Sequence, residues 1–505
     1  GKETPLKRLL FSLPAYLVFF GFVSRFLLFC LKFKSLPWLE DFKFFFVFLM
    51  TVFQAGVSSG LSLLLALLAS CGLLSLANKK YYFFVEAIVL LPCLVPPLIL
   101  ALSLVHWVEL ISAFPFGLTA LILSQTLTYT GLCAVAITRA LSKHSSALSE
   151  WAYIHRVSGF QFLKTLIKTA LLKDIKTLVI LVFTGAFTSL SLPLLIGGSS
   201  FFSLEFFIYE NLKDPNLWPQ ALALILLQSF FIFFICWRAF SQDSSFDKSL
   251  SYQKIYLLPK GVFLVIPLIA VFLSIGGLFF ISDTMAFVKL LPLSSFILSA
   301  GLNSIISSLG VGLLTLFFLV ALCFSYQNVK IRKAIASFTP PGVGFMGLAF
   351  LILPFYGQMA VLIKWSVGLA LLLFPWLYRF RGERALEKLS FQVETARFLG
   401  AGWPLIFKEI LWPNNRSLFF LCAGIASFWA CGDFAYSLIV SSGHWNLSLI
   451  VYDFFSSYRL EEAILLSWLL LCVSFFVFLF WMSFVFIFDR AQKFEFWSKE
   501  RFEKF

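Results

Sequence analysis

The sequence predicts an all-α membrane protein with about twelve transmembrane helices in two parallel six-helix repeats. Of the 505 residues, 60% are hydrophobic and only 13% are charged, and the mean hydropathy is +0.93. A soluble domain carries roughly 25% charged residues, so this chain lacks the polar residues to cover a soluble surface. Several apolar runs reach the roughly 20 residues that a helix needs to cross a bilayer.

The apolar runs define the elements in order. Some of them are longer than a bilayer is thick, which predicts tilted helices or interfacial ends. The twelve predicted spans lie near 9–31, 45–77, 83–107, 116–140, 177–197, 218–240, 261–282, 294–325, 338–356, 360–380, 415–440 and 462–488.

The basic residues predict the orientation of these spans. With the N-terminus inside, 31 of the 39 Lys and Arg residues fall in the segments assigned to the cytoplasm. Cytoplasmic connectors carry an excess of Lys and Arg, so both termini are expected on that side. The net charge of +14 is therefore explained by topology rather than by nucleic-acid binding.

Two similar halves, 1–250 and 251–505, are joined by the polar stretch 241–254. Gly159 and Gly400 occupy comparable inner loops 241 positions apart, and Tyr209 and Tyr452 occupy comparable outer loops 243 positions apart. A nearly constant offset predicts a parallel internal repeat.

The sequence contains few groups placed for catalysis. It has no GxxxxGK[ST] loop, no HExxH and no Ser/His/Asp grouping, and the nine cysteines and four histidines show no metal-ligand spacing. The cysteines lie almost wholly in apolar runs and are interpreted as buried free thiols. We also expect no cleavable signal peptide, no cofactor or metal in this chain and no enzymatic activity.

Charges inside the spans are sparse: Arg25, Glu86, Lys364 and Asp433 are the main ones. Arg25 and Lys364 can extend to an interface. Asp433, between Gly432 and Phe434, is a candidate for a cavity or gate, because intramembrane charge is costly and often functional. The alternative is a local structural role, with hydrogen bonds to backbone amides.

The stretch VETARFLGAGWPLIFKEILWP, 393–413, is unusually polar for this chain. Its mixed helical spacing and Gly400 predict two short helices with a turn between them, lying along the membrane surface. Two interpretations stay open: a contact surface for another protein, or an interfacial anchor for the loop.

This stretch resembles the cytoplasmic coupling loop of binding-protein-dependent ABC importer permeases, whose pattern is E-A-A, three residues, G, nine residues, I-x-L-P. The matching residues are Glu394, Thr395, Ala396, Gly400, Ile410 and Pro413, with Thr395 in place of the first Ala and Trp412 in place of the Leu. In the first half Gly159 fits this pattern. Tyr153 then takes the Glu position and Leu172 the Pro position, while Glu150 and Ala152 lie nearby but out of register.

Two such cores in one chain resemble the fused permeases for thiamine and ferric iron, with the thiamine branch slightly closer at 432–434, 456–471 and 208–228. The resemblance implies a type I importer permease with coupling loops near 143–175 and 382–414. It also implies an ATP-binding ABC subunit, expected as a homodimer, a periplasmic binding protein and a place in the bacterial inner membrane. The runner-up is a secondary transporter with six plus six spans.

Overall fold

The computed structural model describes residues 42–76, 81–110, 116–197, 203–240, 261–279, 286–324, 342–351, 357–378 and 383–502. Almost all of these residues are helical, and no β-strand occurs among them. The predicted all-α membrane fold is confirmed. Long apolar runs form helices because a helix satisfies every backbone polar group within its own segment.

Two compact units divide the chain. Among the described residues, the first-half unit consists of those within 42–291 and 451–467, and the second-half unit of those within 292–450 and 468–502. The helices up to residue 291 are α1 Phe42–Leu74, α2 Tyr82–Leu94, α3 Pro97–Leu110, α4 Leu118–Ile154, α5 Gly159–Leu166, α6 Leu172–Phe187, α7 Ser191–Ile196, α8 Leu204–Leu212, α9 Trp218–Phe240, α10 Val265–Ile275 and α11 Ala286–Leu290.

The remaining helices complete the chain. They are α12 Ser294–Phe324, α13 Gly342–Leu351, α14 Gln358–Leu377, α15 Glu383–Lys388, α16 Ser390–Phe398, α17 Trp403–Ile406, α18 Trp412–Gly432, α19 Ala435–Val440, α20 Leu447–Ser456 and α21 Leu460–Phe502. In the first-half unit α1 packs along α4 and α6, and in the second-half unit α12 packs along α14 and α18.

Seven described helices are long and apolar enough to cross a membrane. They are Phe44–Leu74, Leu118–Ser142, Pro215–Cys236, Gly261–Phe279, Ala286–Cys323, Gln358–Leu377 and Leu460–Phe488. A bent pair, Phe84–Leu94 and Pro97–Glu109, would make an eighth, with an angle of 89° between its helices. The bend occurs where Pro96 and Pro97 cannot continue the hydrogen bonding of the preceding helix.

The count of twelve spans stays a prediction. The run 9–31 lies outside the described residues, and only Gly342–Leu351 of the run 338–356 is described as a helix. The runs 177–197 and 415–440 are broken instead of continuous, after Phe187 and after Gly432 respectively. Both halves are therefore interrupted at comparable places.

The segment 261–279 follows the predicted boundary between the two repeats at residue 250, but it packs against helices of the first half. The hydroxyl of Ser103 in α3 donates to the Leu273 carbonyl at 2.8 Å and accepts from the Gly277 N–H at 3.0 Å. Trp107 also packs on Phe272, with 4.9 Å between ring centroids. The segment 261–279 thus belongs spatially to the first-half unit, and the assignment of 1–250 and 251–505 to two cores stays a prediction.

Burial differs from expectation at two of the residues singled out from the sequence. Cys472 is exposed, beside the exposed Leu469 and Phe476 on α21. Lys364 is only 5% exposed. Arg25 lies outside the described residues.

Candidate functional site

The second inner loop is a chain of short helices that leads into a long one. After α15 and α16 the backbone turns at Gly400, and α17 is followed by a π turn over Phe407–Leu411 that continues directly into α18. Pro413 lies in the first turn of α18, directly after the π turn. The predicted turn between two helices is confirmed, but the second helix continues into α18 instead of ending as a short helix. Its placement along the membrane surface stays a prediction.

Gly400 makes the turn possible. Its φ is +82°, which is the left-handed region that glycine adopts at little cost. Around it the Ala401 N–H donates to the Ala396 carbonyl at 2.9 Å, and the Leu399 N–H donates to the Thr395 carbonyl at 3.0 Å. These bonds satisfy the last carbonyls of α16 in a Schellman-type cap.

One face of this loop is apolar and open. Phe398 is 95% exposed and Leu399 is 82% exposed, directly beside the exposed Glu394 and Thr395. Ile406 and Leu411 are buried on the opposite side, while Ala396, Ile410 and Pro413 are half-buried. Neighbouring apolar side chains this exposed at a loop tip are typical of a protein contact surface.

The first inner loop has the same construction. Helix α4 runs without interruption from Leu118 to Ile154, and the backbone then turns at Arg156, whose φ is +51°. The short helix α5 follows, then a π turn over Ile167–Leu171, and the chain continues directly into α6.

Backbone hydrogen bonds fix the correspondence between the two loops. The Val157 N–H donates to the Ala152 carbonyl at 3.0 Å, as Ala401 does to Ala396. The next bonds also match, from Phe162 N–H to the Ser158 carbonyl and from Ile406 N–H to the Gly402 carbonyl. Each of these pairs is related by 244 positions.

This register corrects the predicted one. Glu150 and Ala152 are in register with Glu394 and Ala396, and Arg156 takes the place of Gly400. Gly159 is not the turn residue, since it is the first residue of α5. The sequence pattern pointed to Gly159 as the counterpart of Gly400, because the residue with left-handed φ in the first loop is Arg156 and not a glycine.

The two loops differ in length by one helical turn. The segment from the start of the short helix to the end of the π turn is 159–171 in the first loop and 403–411 in the second. The offset therefore changes from 244 to 240 positions at the π turns. Both loops nevertheless expose an apolar side chain two residues before the turn residue. Ile154 is 72% exposed in the first loop, and Phe398 occupies the corresponding position in the second loop.

Asp433 lies at the break between α18 and α19. Its Oδ2 accepts a hydrogen bond from the Tyr436 N–H at 3.1 Å. Its own carbonyl accepts from the Ser437 hydroxyl at 3.1 Å and from the Ser448 hydroxyl at 2.7 Å. Asp433 therefore caps the start of α19, which is the local structural role left open by the sequence.

The flanking residues are packed inside the second-half unit. Gly432 and Phe434 are both buried. Their participation in a cavity or gate, and any charge-dependent role of Asp433, stay predictions.

Replacing Asp433 tests the cap. Asn caps about as well as Asp, so Asp433→Asn should keep the melting temperature and the solute uptake, whereas Asp433→Ala should lower the free energy of unfolding by about 1 kcal/mol. Thermal unfolding of the purified chain and uptake in vesicles measure the two effects. Normal melting with lost uptake in the Asn variant would instead assign a role to the charge.

The second intramembrane carboxylate, Glu86, is paired. Its Oε1 contacts Arg139 Nη2 across α2 and α4. The described residues hold no group of three or more His, Cys, Asp or Glu side chains that could bind a metal ion.

Comparison with protein families bears on the first half of the chain. Residues 62–242 match the family described as binding-protein-dependent transport system inner membrane component. This segment is similar to that family. The matched residues include α2 to α9 and the whole first inner loop. No curated protein and no solved structure shows significant similarity to the chain.

The match covers 181 of the 505 residues and is a similarity of this segment to a membrane component of transport systems. That similarity agrees with the multiple apolar helices of the described residues. The geometry of the first inner loop, including Glu150, Ala152 and Arg156, thus lies within the matched residues.

Proposed function

We propose that this chain is the transmembrane permease subunit of an ABC importer, with both inner loops bound to ATP-hydrolysing subunits. The observation that carries this proposal is the matched backbone of the loops at Arg156 and Gly400, each with an exposed apolar side chain two residues earlier. Two similar surfaces suit a homodimeric ATPase, because each of its identical subunits then meets one loop.

The helices adjoining each loop would transmit motion into the membrane. Helix α4 continues from the predicted membrane region to the first loop as one rod, and α18 leaves the second loop through the π turn without a break. A displacement of either loop therefore moves a transmembrane helix as a rigid body. In the proposed cycle, ATP-driven closure of the ATPase dimer brings the loops together and opens the solute path to a periplasmic binding protein.

Hydrolysis is assigned to a separate subunit because this sequence contains no GxxxxGK[ST] loop. The solute is proposed from the resemblance: thiamine or its phosphates first, ferric iron second. The site of action is the bacterial inner membrane, with both termini in the cytoplasm. Binding measurements on the partner periplasmic protein would identify the solute.

The loop turns provide a matched pair of variants. Gly400→Val forces a β-branched residue into φ +82°, where left-handed geometry costs roughly 1–2 kcal/mol. We expect about five- to thirty-fold weaker association with the ATPase. Arg156→Gly removes a comparable strain and should preserve or improve association.

Affinity purification of the full chain from its native membrane measures both variants. The expected result is a co-purifying ATPase that is reduced by Gly400→Val and retained by Arg156→Gly. Proton-driven uptake by the reconstituted chain alone, with no ATPase bound, would favour a secondary transporter.

A further inference from the structure

The broken helix of the second-half unit consists of an inner segment, α18, which continues from the second inner loop, and an outer segment, α19. Helix α18 ends at Gly432, and Asp433 has an extended backbone with φ −77° and ψ 119°. The Asp433 N–H still donates to the Ala430 carbonyl at 3.3 Å. Regular helical hydrogen bonding stops here, and the ends of helices are where a hinge can absorb changes in φ and ψ.

The outer segment α19 is fixed to neighbouring helices. The Tyr436 hydroxyl donates to the Lys364 carbonyl on α14 at 2.9 Å, and Tyr436 is fully buried. A β-carbon at Gly368 would collide with this hydroxyl, so the glycine makes room for it. Ile439 lies against α13, where a β-carbon at Gly347 would be 2.7 Å from its Cγ2. These contacts attach α19 to both α13 and α14.

A hydrogen bond also joins the break to α20. The Ser448 hydroxyl donates to the Asp433 carbonyl at 2.7 Å, and the Ser437 hydroxyl donates to the same carbonyl at 3.1 Å. This carbonyl lies at the break, where an unmade hydrogen bond inside a membrane would cost several kcal/mol. The break is therefore stabilised from its outer side.

The start of α20 is anchored in the same way as its counterpart α8. The Leu447 N–H donates to Ser304 Oγ on α12 at 2.8 Å, and the Leu204 N–H at the start of α8 donates to Thr51 Oγ1 on α1 at 2.9 Å. The two leucines are 243 positions apart. Each short helix is thus attached to the long core helix of its own half.

The inner segment α18 packs on α21 through aromatic rings. Phe420 stacks on Phe484 and Phe488, with 5.4 and 5.3 Å between ring centroids. Apolar contacts are non-directional and lipid offers a similar environment, so α18 can shift over α21 at low cost. Arg416 donates to the Phe488 carbonyl at 3.2 Å, so the cytoplasmic end of α21 is expected to follow α18.

The break in the first-half unit is braced on both sides. Gln125 Nε2 on α4 donates to the Ala186 carbonyl in the last turn of α6 at 3.4 Å. Beyond the break, the Ile196 carbonyl at the end of α7 accepts from the Gly117 N–H, directly before α4, at 2.8 Å. Both segments are therefore bonded to one continuous helix, which restrains bending between them.

We propose that the break after Gly432 is a hinge and that Tyr436 is the positioning residue that keeps the outer segment fixed while α18 follows the second inner loop. The cause of the motion rests on the proposed importer function, because an ATPase would displace the loop from which α18 continues. The braced first-half break moves as one body with α4. The two halves thus respond differently to the same ATPase.

Hydrogen–deuterium exchange of the complete purified chain in lipid nanodiscs tests the hinge without an ATPase. Tyr436→Phe keeps the ring and removes the hydroxyl that bonds to α14. Exchange over α19 should become roughly two- to tenfold faster, the change in an opening equilibrium that corresponds to one lost hydrogen bond. Exchange over α18 should stay unchanged, because a hinge lets the two segments open separately.

Two further variants complete the experiment. Ser448→Ala removes a different bond of the outer segment, and it should also speed exchange over α19 without affecting α18. Tyr458→Phe removes the hydroxyl of an exposed tyrosine and should change neither segment.

An equal rise over α18 and α19 would show one rigid body and overturn the hinge. An unchanged rate over α19 in Tyr436→Phe would overturn the positioning role of this tyrosine. Co-purification of an ATPase is measured on the same membranes. A wild-type chain that binds no ATPase would contradict the importer function, while the exchange rates would still decide the hinge.

Discussion

Phe398→Asp is expected to abolish association with the ATPase, with a loss of about a hundredfold or more. Phe398 is 95% exposed at the end of α16 and would be buried in the complex. Burying a phenylalanine contributes about 1.5–3 kcal/mol, and aromatic anchors in interfaces often contribute more than about 2 kcal/mol. An aspartate there forfeits that contribution and adds the cost of desolvating a charge.

The first loop offers the matched change. Ile154→Asp should weaken association less, by about tenfold, because an isoleucine side chain buries a smaller apolar surface than a phenylalanine side chain. Ile154 precedes the turn at Arg156 as Phe398 precedes the turn at Gly400. Tyr458→Asp changes an exposed aromatic residue in a predicted outer loop and should have no effect. The ratio of ATPase to purified chain measures all three, with size-exclusion profiles to verify folding. Retention of the ATPase by Phe398→Asp would remove the main support for the contact surface.

Gly131→Ala is expected to destabilise the first-half unit severely. A β-carbon at Gly131 on α4 would collide with the carbonyl oxygen of Val89 and lie 3.1 Å from its carbonyl carbon on α2. These atoms are backbone and cannot rotate away, so the helices must separate. Overpacking of this kind costs about 1–3 kcal/mol and sometimes more, and close helix approach at small residues is a main source of stability in membranes.

Gly60→Ala is the control for this change. Gly60 also lies within a long helix, α1, but a β-carbon there meets nothing within 4 Å. Its higher helix propensity should leave stability unchanged or improve it by up to about 1 kcal/mol. Thermal unfolding in detergent compares the two variants. Similar melting temperatures for wild type and Gly131→Ala would contradict the close contact of α2 with α4.

The sequence alone determined the class of the protein and the position of its second loop. Composition and run length suffice for the class. Apolar runs of this length lie in a bilayer, and a helix satisfies the hydrogen bonds of every backbone N–H and C=O group within its own segment. The turn at Gly400 was predictable because glycine is the residue that favours left-handed geometry. The offset of 243 positions between Tyr209 and Tyr452 also indicated correctly that the short helices α8 and α20 correspond.

Tertiary structure decided the rest, because neighbouring elements can impose a conformation that residue type does not favour. Arg156 adopts φ +51° under the constraint of the α4 cap and the following short helix, so the first-loop register was hidden from any pattern based on glycine. Asp433 has no fixed role in a linear sequence, and only the fold brings Ser448, 15 residues later, to its carbonyl. The segment 261–279 joins the first-half unit through Ser103, whose partners Leu273 and Gly277 lie 170 and 174 positions away, a contact that no local periodicity can encode.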